Sequence, residues 1–188
     1  VFGEMLTSGA GEKLIAALGS LDLSNNLCIL GELNFNGGVK TADAHVEQFK
    51  QLATAIGQLR SLTSLNLARI GMGPKGAVVF GEMLTSGGGE KLIAAMSSIT
   101  LSSTGNPREA KEYTIERGVA ELNLAKMNLG PGDMMVISAL IQTGLIAGIT
   151  SLIIGGNPIG GEGGQALVDV LPQQGINVYD ILRRDVLV

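Results

Sequence analysis

The apolar residues of this chain recur in one short pattern, L-x-x-L-x-L, followed by a polar residue or a glycine. Alternation of apolar and polar positions within each copy is typical of a short strand with one buried face. The pattern predicts strand cores at residues 21–23, 33–35, 65–67, 99–101, 122–124 and 152–154. We expect their apolar positions to form a buried ladder, comprising Leu65, Leu67, Ile99, Leu101, Leu122, Leu124, Leu152 and Ile154.

Glycine-marked turns follow the clearest strand patterns, and apolar residues at helical spacing follow the turns. The turns at 71–76, 130–133 and 160–164 lead into helical patterns at 77–84, 134–141 and 165–171. Pro74 and Pro131 stand where such helices would begin, and the first helical turn tolerates proline because its N–H has no partner there. The predicted unit is therefore strand, turn, helix.

The sequence also contains a longer repeat, which spans more than one strand–turn–helix unit. Residues 1–24 and 79–102 are identical at 19 of 24 positions, an offset of 78 residues. That offset exceeds one strand–turn–helix unit, which indicates duplication of a larger segment. Because residue 1 corresponds to a helical position in the second copy, we expect the chain to begin inside a helix.

The segment from Ile149 to Leu171, L-x-x-L-x-L-x-x-N-x-I-G-x-x-G in outline, resembles a leucine-rich repeat of the ribonuclease-inhibitor-like class. The resemblance implies an α/β solenoid, a horseshoe with a parallel strand ribbon on the concave side and helices on the convex side. It also implies that Asn157 and Asn26 bond backbone groups where the chain turns out of a strand. Residues 1–188 would then be a single leucine-rich-repeat domain and a fragment of a longer chain.

The pattern is irregular in places. Ile70 and Met127 stand where the asparagine is expected, and residues 21 and 33 are too close together to hold a helix between them. One of the two early strand cores is therefore predicted to lie outside the regular stack. Residues 103–118 are predicted to be an insertion or irregular repeat containing a short capped helix at 106–113.

The amino-acid composition argues against most kinds of binding and catalytic site. The 188 residues include 13 Lys and Arg against 17 Asp and Glu, and 3 % aromatics, so no basic footprint for nucleic acid is present. Cys28 and His45 are single residues of their type, which excludes a disulfide framework and a multi-cysteine zinc site. We expect Cys28 to be a buried structural thiol and His45 an exposed helical residue. We expect no enzyme activity, catalytic residue, cofactor or metal.

Two sequence features point elsewhere. Residues 71–76 form a literal G-x-G-x-x-G, but a dinucleotide site needs an acidic residue about 20 positions on, at the end of the next strand. Ser102, Ser103 and Thr104 stand at the end of that predicted strand. A nucleotide-binding regulator is therefore a remote alternative. Residues 134–154 carry no charge and are long enough to cross a bilayer, but their polar residues and the absence of flanking Lys or Arg argue against a span. We expect an intracellular, cytoplasmic protein; an organellar location and peripheral association with a membrane complex stay open.

A long strand face without a catalytic set predicts a non-catalytic protein–protein interaction or scaffolding module with protein partners. The densely charged stretch 108–117 is either a solvated face or a contact surface. The alternative is a structural subunit of a larger assembly, because the apolar ends, Val1, Phe2 and residues 186–188, would need cover. The candidate contacts on the predicted concave face are Glu32, Asn34, Asn66, Arg69, Glu121, Asn123, Lys126 and Ile153.

Overall fold

The computed structural model describes residues 16–174. The strands within that range are β1 Ser20–Asp22, β2 Glu32–Leu33, β3 Val39–Thr41, β4 Ser64–Asn66, β5 Ser98–Ser102, β6 Glu112–Glu116, β7 Glu121–Asn123 and β8 Ser151–Ile153. The helices that lie wholly within it are α1 Val46–Ile56, α2 Pro74–Leu84, α3 Gly87–Ala95, α4 Pro131–Gln142 and α5 Gly160–Val170. Short 3₁₀ turns occupy Leu27–Ile29, Pro107–Glu109 and Leu171–Gln174.

The strands form small separate sheets. The largest has the order β1-β4-β5-β6, in which β1, β4 and β5 are parallel and β6 runs antiparallel to β5. Its register places Leu21, Leu65 and Ile99 in one row. Strands β2 and β3 form an antiparallel hairpin, and β7 and β8 form a parallel pair with Leu122 beside Leu152.

The expectation of a horseshoe-shaped solenoid with one parallel ribbon is wrong. After β5 the chain turns back and β6 pairs along β5 from Ser98 with Glu116 to Ser102 with Glu112. The edge of β5 that a further parallel strand would need is therefore already hydrogen-bonded. Strand β7 pairs with β8 instead, so the ribbon is divided into separate sheets.

The short helix expected at residues 106–113 is also wrong. The structure has a 3₁₀ turn at Pro107–Glu109 and then β6, in which Tyr113 and Ile115 are buried while Glu112, Thr114 and Glu116 are exposed. This period of two is that of a strand with one face on the core. Of the charged residues that suggested a helical surface, Glu112 and Glu116 are outward positions of β6, whereas Arg108 and Glu109 lie in the 3₁₀ turn.

The strand core predicted at 33–35 is the one outside the parallel sheet. Residues Glu32 and Leu33 pair with Val39–Thr41 in the hairpin, because the segment between β1 and β2 is a 3₁₀ turn with no room for a helix. Strand β1 takes its place beside β4. The second copy of the duplicated segment, 79–102, forms the end of α2, all of α3 and β5, whereas residues 1–15 of the first copy and the apolar end 175–188 lie outside the described residues.

The helices pack against one another in succession, with α2 between α1 and α4 and α5 against α4. Pro74 and Pro131 open α2 and α4, as the pattern predicted. The close approach of these helices requires Gly132, where a Cβ atom would lie 2.8 Å from the Pro74 carbonyl oxygen. All eight residues of the predicted apolar ladder are buried.

The uncharged stretch 134–154 is divided between α4, a turn that buries Leu145 and Ile146, and β8. Among the described residues, no helix combines the length and the apolar character that crossing a bilayer demands.

Candidate functional site

The exposed face of the main sheet carries a row of short polar side chains. Asn66 Nδ2 donates to Asp22 Oδ2 at 3.2 Å, and the Thr100 and Thr114 hydroxyls are hydrogen-bonded at 2.9 Å. Hydrogen bonds from Ser24 hold the pKa of Asp22 below its usual value. Large aromatic or aliphatic anchors of the kind that dominate binding interfaces are absent from this row.

The eight predicted contact residues belong to three sheets and the segments next to them. Asn66 lies on the main sheet, whereas Glu121, Asn123 and Ile153 lie on the separate β7–β8 pair. Glu32 and Asn34 belong to the hairpin. Arg69 and Lys126 follow β4 and β7 in the left-handed conformation, each with φ of 56°. The structure thus distributes the predicted contact residues over three sheets and over the turns that follow β4 and β7.

A cleft of about 440 Å³ opens at the carboxyl ends of β4 and β5. The hairpin contributes Gly38 and Val39 to one wall. The cleft also has apolar lining and three charged side chains at its rim. The apolar residues include Leu27, Val39, Ile70, Met72 and Pro107, and the charged ones are Arg69, Arg108 and Glu112.

The glycine-rich turn 71–76 borders this cleft, but its helix terminus is already occupied. Asp43 Oδ1 accepts from the backbone N–H groups of Gly73 at 2.8 Å and Gly76 at 3.0 Å, and Oδ2 accepts from Lys75 N–H at 2.9 Å. A Cβ atom at Gly73 or Gly76 would lie 2.6 Å from this carboxylate. The protein's own carboxylate thus takes the position that a phosphate would take at a free helix N-terminus. The glycines serve the fold.

A second carboxylate, Asp133, is buried at the start of α4. Its Oδ2 accepts from the Thr104 N–H, the Thr104 hydroxyl and the Gly130 N–H, each at 2.7 Å, and its Oδ1 accepts from the Tyr113 hydroxyl at 2.8 Å. Burial raises the pKa of Asp133 against the opposing effect of these bonds, and burial beside Asp133 raises the pKa of Tyr113 well above its usual value. The network ties the β5–β6 unit to α4, and it reaches the cleft through Thr104, which is part of the lining.

The two asparagines singled out from the repeat lie in turns. Asn157 Nδ2 donates to the carbonyls of Leu124 at 2.8 Å and Ile154 at 2.6 Å, and its Oδ1 accepts from Leu129 N–H at 3.0 Å. Asn26 Nδ2 donates to carbonyls within its own turn. Asn157 therefore joins two successive turns, whereas Asn26 acts locally.

The expectation for Cys28 is wrong, because its residue is exposed in the 3₁₀ turn Leu27–Ile29. This turn leads into the hairpin and so does not bury the position as a regular repeat would. His45 precedes α1, is half-buried and makes no side-chain hydrogen bond to the helix terminus. Within residues 16–174, no three His, Cys, Asp or Glu side chains are grouped closely enough to hold a metal ion.

The large apolar side chain with the highest exposure among the described residues was not predicted from the sequence as an exposed residue. Phe35 lies at the tip of the β2–β3 hairpin and is 97 % exposed, and Leu33 on the same hairpin is 39 % exposed. The available signal was the asparagine- and glycine-rich sequence 34–38, which is typical of a hairpin turn. The same hairpin contributes Gly38 and Val39 to the wall of the cleft, so the exposed Phe35 lies near the cleft.

Comparison with known proteins identifies one segment. Residues 149–168, which comprise β8 and most of α5, match the family described as Leucine Rich repeat. The match supports a leucine-rich repeat in this segment. It is the part of the chain in which Asn157 forms the turn.

Short stretches of the chain are similar to ribosomal proteins. The large ribosomal subunit protein uL4 of Methylorubrum extorquens is 57 % identical over 44 residues, which is 21 % of each chain. The protein of the same name from Methylorubrum populi is 52 % identical over 62 residues, 30 % of each chain. The chain thus spans less than a third of the length of these curated relatives.

Proposed function

We propose that this chain is a non-catalytic protein-interaction module that contacts its partner through the β2–β3 hairpin and the adjoining cleft. The observation that carries the proposal is the exposed Phe35 at the hairpin tip. Aromatic side chains are among the anchors that dominate protein interfaces. Burying a phenylalanine side chain contributes roughly 1.5–3 kcal/mol, which favours a partner that covers it.

The hairpin presents Phe35 in a defined conformation. Asn34 Oδ1 accepts from the N–H groups of Asn36 at 2.9 Å and Gly38 at 3.0 Å, and Lys40 forms an ion pair with Glu32 at 2.9 Å. A turn that is ordered before binding loses less conformational entropy when it meets a partner. This organisation supports a binding role for the hairpin.

The disposition of the carboxylates supports a non-catalytic role. Asp43 and Asp133 accept several hydrogen bonds each at helix N-termini, so they serve as structural acceptors. The leucine-rich repeat at 149–168 supports an interaction function, since repeats of this kind present binding surfaces. The ribonuclease-inhibitor-like class of that repeat, a scaffolding role and a cytoplasmic location are further parts of this proposal.

The experiment places a photo-crosslinking benzoylphenylalanine at position 35 of the 188-residue chain. The crosslinked partner is identified, purified, and titrated against the unmodified chain by calorimetry. We expect Phe35→Ala to weaken binding about tenfold or more, as for an anchor residue. The matched control is Met135→Ala on α4, because Met135 is also an exposed apolar side chain but lies in the helical layer.

The Met135→Ala chain should bind as tightly as the wild type, and both variants should keep the wild-type Tm. Equal weakening by both variants, or unchanged binding by Phe35→Ala, would refute the hairpin as the contact. A partner crosslinked in fixed stoichiometry from positions all around the chain would favour the structural-subunit alternative instead.

A further inference from the structure

Two arginines at the rim of the cleft have side chains without a partner among residues 16–174. Arg69 follows β4, and Arg108 lies in the 3₁₀ turn Pro107–Glu109. Both line the cleft, and neither guanidinium forms a hydrogen bond or ion pair within the part of the chain that the structure describes. A guanidinium with five free donors is suited to bind a carboxylate or phosphate.

The backbone at Arg69 is one that arginine rarely adopts. The corresponding positions after β1, β7 and β8 are also left-handed: Asn25 with φ of 60°, Lys126 with 56° and Gly156 with 73°. Glycine and asparagine are the residues that fit this conformation best. At the position facing the cleft, the chain places a cation where the backbone alone favours a glycine or asparagine.

The other charged side chains near the cleft do not cancel the positive charge of Arg69 and Arg108. Glu112 is the carboxylate in the described lining, against two guanidiniums. Asp43, which lies beside the cleft, has both oxygens bonded to backbone N–H groups of α2. The cleft therefore has a net positive lining although the chain has a formal charge of −4.

The apolar lining of the cleft further restricts the class of ligand that fits it. Leu27, Val39 and Met72 are half-buried and contribute apolar surface to the cleft. A ligand that complements the cleft combines an apolar side chain with an anionic group. Because α2 is already capped by Asp43, a phosphate of a nucleotide has no free helix terminus to bind there.

We propose that the cleft binds an acidic peptide segment of a protein partner, in which an apolar side chain contacts Val39 and Met72 and a neighbouring carboxylate contacts Arg69 and Arg108. This proposal rests on the proposed function and adds the chemistry of the partner. The proposal predicts that negative charge on the peptide increases its affinity through Arg69 and Arg108. A basic residue outside the cleft should not contribute to this effect.

The test uses the 188-residue chain and fluorescein-labelled, end-capped peptides of alternating leucine and glutamate, measured by fluorescence anisotropy. Peptides with glutamine or lysine in place of glutamate are the charge controls, and a phosphoserine version distinguishes carboxylate from phosphate as the anion. We expect the glutamate peptide to bind about tenfold more tightly than the glutamine peptide, and the lysine peptide more weakly still. Tighter binding of the phosphoserine peptide than of the glutamate peptide would overturn the assignment of carboxylate as the anion.

The variants test the location. The double substitution Arg69→Asn and Arg108→Gln should abolish the preference for glutamate over glutamine, while Glu112→Gln should increase affinity about two- to fivefold. The matched control is Lys126→Asn, which removes an equally basic side chain from an equivalent left-handed position outside the cleft. Thermal unfolding of each variant establishes that it is folded.

An equal affinity for the glutamate and glutamine peptides, or no binding of either, would overturn the acidic-peptide proposal. So would a glutamate preference that survives the double substitution or is lost in Lys126→Asn. Competition by ATP or NADH at the cleft would assign it to nucleotides instead. The crosslinking experiment at position 35 decides the interaction function separately, so failure of the peptide test alone leaves that function intact.

Discussion

Replacement of Asp43 by alanine tests how α2 is held to the rest of the fold. The carboxylate accepts from Gly73, Lys75 and Gly76 at 2.8–3.0 Å, although it lies 30 or more residues away from them in the sequence. Alanine would leave these backbone donors without a partner at the start of the helix. Gly73 and Gly76 are buried, so water can replace the carboxylate only in part.

The magnitude follows from these bonds. A hydrogen bond to a charged group contributes about 1.5–3 kcal/mol, and loss of a helix N-cap acceptor costs about 0.5–2 kcal/mol. The bonds share one carboxylate and Asp43 is only half-buried, so their contributions do not add in full. We expect Asp43→Ala to lower the free energy of unfolding by about 2–4 kcal/mol, which corresponds to a decrease in Tm of roughly 5–15 °C.

The assay is urea unfolding followed by circular dichroism at the helical band. Asp43→Asn should give a smaller loss, because asparagine tolerates the φ of 59° at this position but has a single oxygen to accept bonds. The control is Glu90→Ala, an exposed acidic residue in the first turn of α3, for which we expect a change within about 0.5 kcal/mol. If Asp43→Ala were as stable as Glu90→Ala, the carboxylate would not be the cap that the geometry indicates.

Three further substitutions test the core and the buried network. Leu124→Ala should destabilise the chain by about 2–5 kcal/mol through lost burial and a cavity, measured by urea unfolding; an unchanged midpoint would contradict its place in the core. Asn157→Ala should cost about 1–3 kcal/mol because three backbone groups lose their partner, and a loss of binding with intact stability would show a different role. Burial raises the pKa of Asp133 in the folded state above its usual value of 3.8. The protonated Asp133 therefore stabilises the fold fully at pH values below its pKa in the unfolded chain, and this stabilisation is lost as the pH rises through its pKa in the folded chain. The stability of the wild type relative to Asp133→Asn should therefore fall over that pH range in urea titrations, whereas a constant difference would refute the raised pKa.

Local sequence patterns predicted the strands and helices well where each element is set by its own residues. Pro74 and Pro131 mark helix starts, and Leu122 and Leu124 face the core, because helical and strand periods come from local backbone geometry. The same local information was present for β6, where Tyr113 and Ile115 alternate with polar residues. The charged residues of this segment were instead interpreted as a helical surface. Without β6, the predicted parallel ribbon continued past β5, where the structure has the antiparallel pair of β5 and β6.

The candidate site was less predictable than its elements. The sequence predicts Arg69 as a contact residue on the concave face, but nothing in the spacing indicates that Arg108 lines the same cleft as Arg69. The glycine-rich turn was visible in the sequence, whereas its occupant, Asp43, comes from a segment about 30 residues earlier. Phe35 was assigned to a strand core, and its exposure depends on the hairpin formed by Glu32–Leu33 with Val39–Thr41.

The sequence by itself determined the strand–turn–helix units, the apolar ladder and the presence of a single cysteine and a single histidine, since these depend on residue type and local period. Only the tertiary structure decided which strands pair, which helix terminus is capped and which side chains meet at the cleft. The physical reason is that each strand edge and each helix terminus can satisfy its hydrogen bonds with one partner at a time. At β5 that partner is β6 and at α2 it is Asp43, and both choices depend on contacts that no local period encodes.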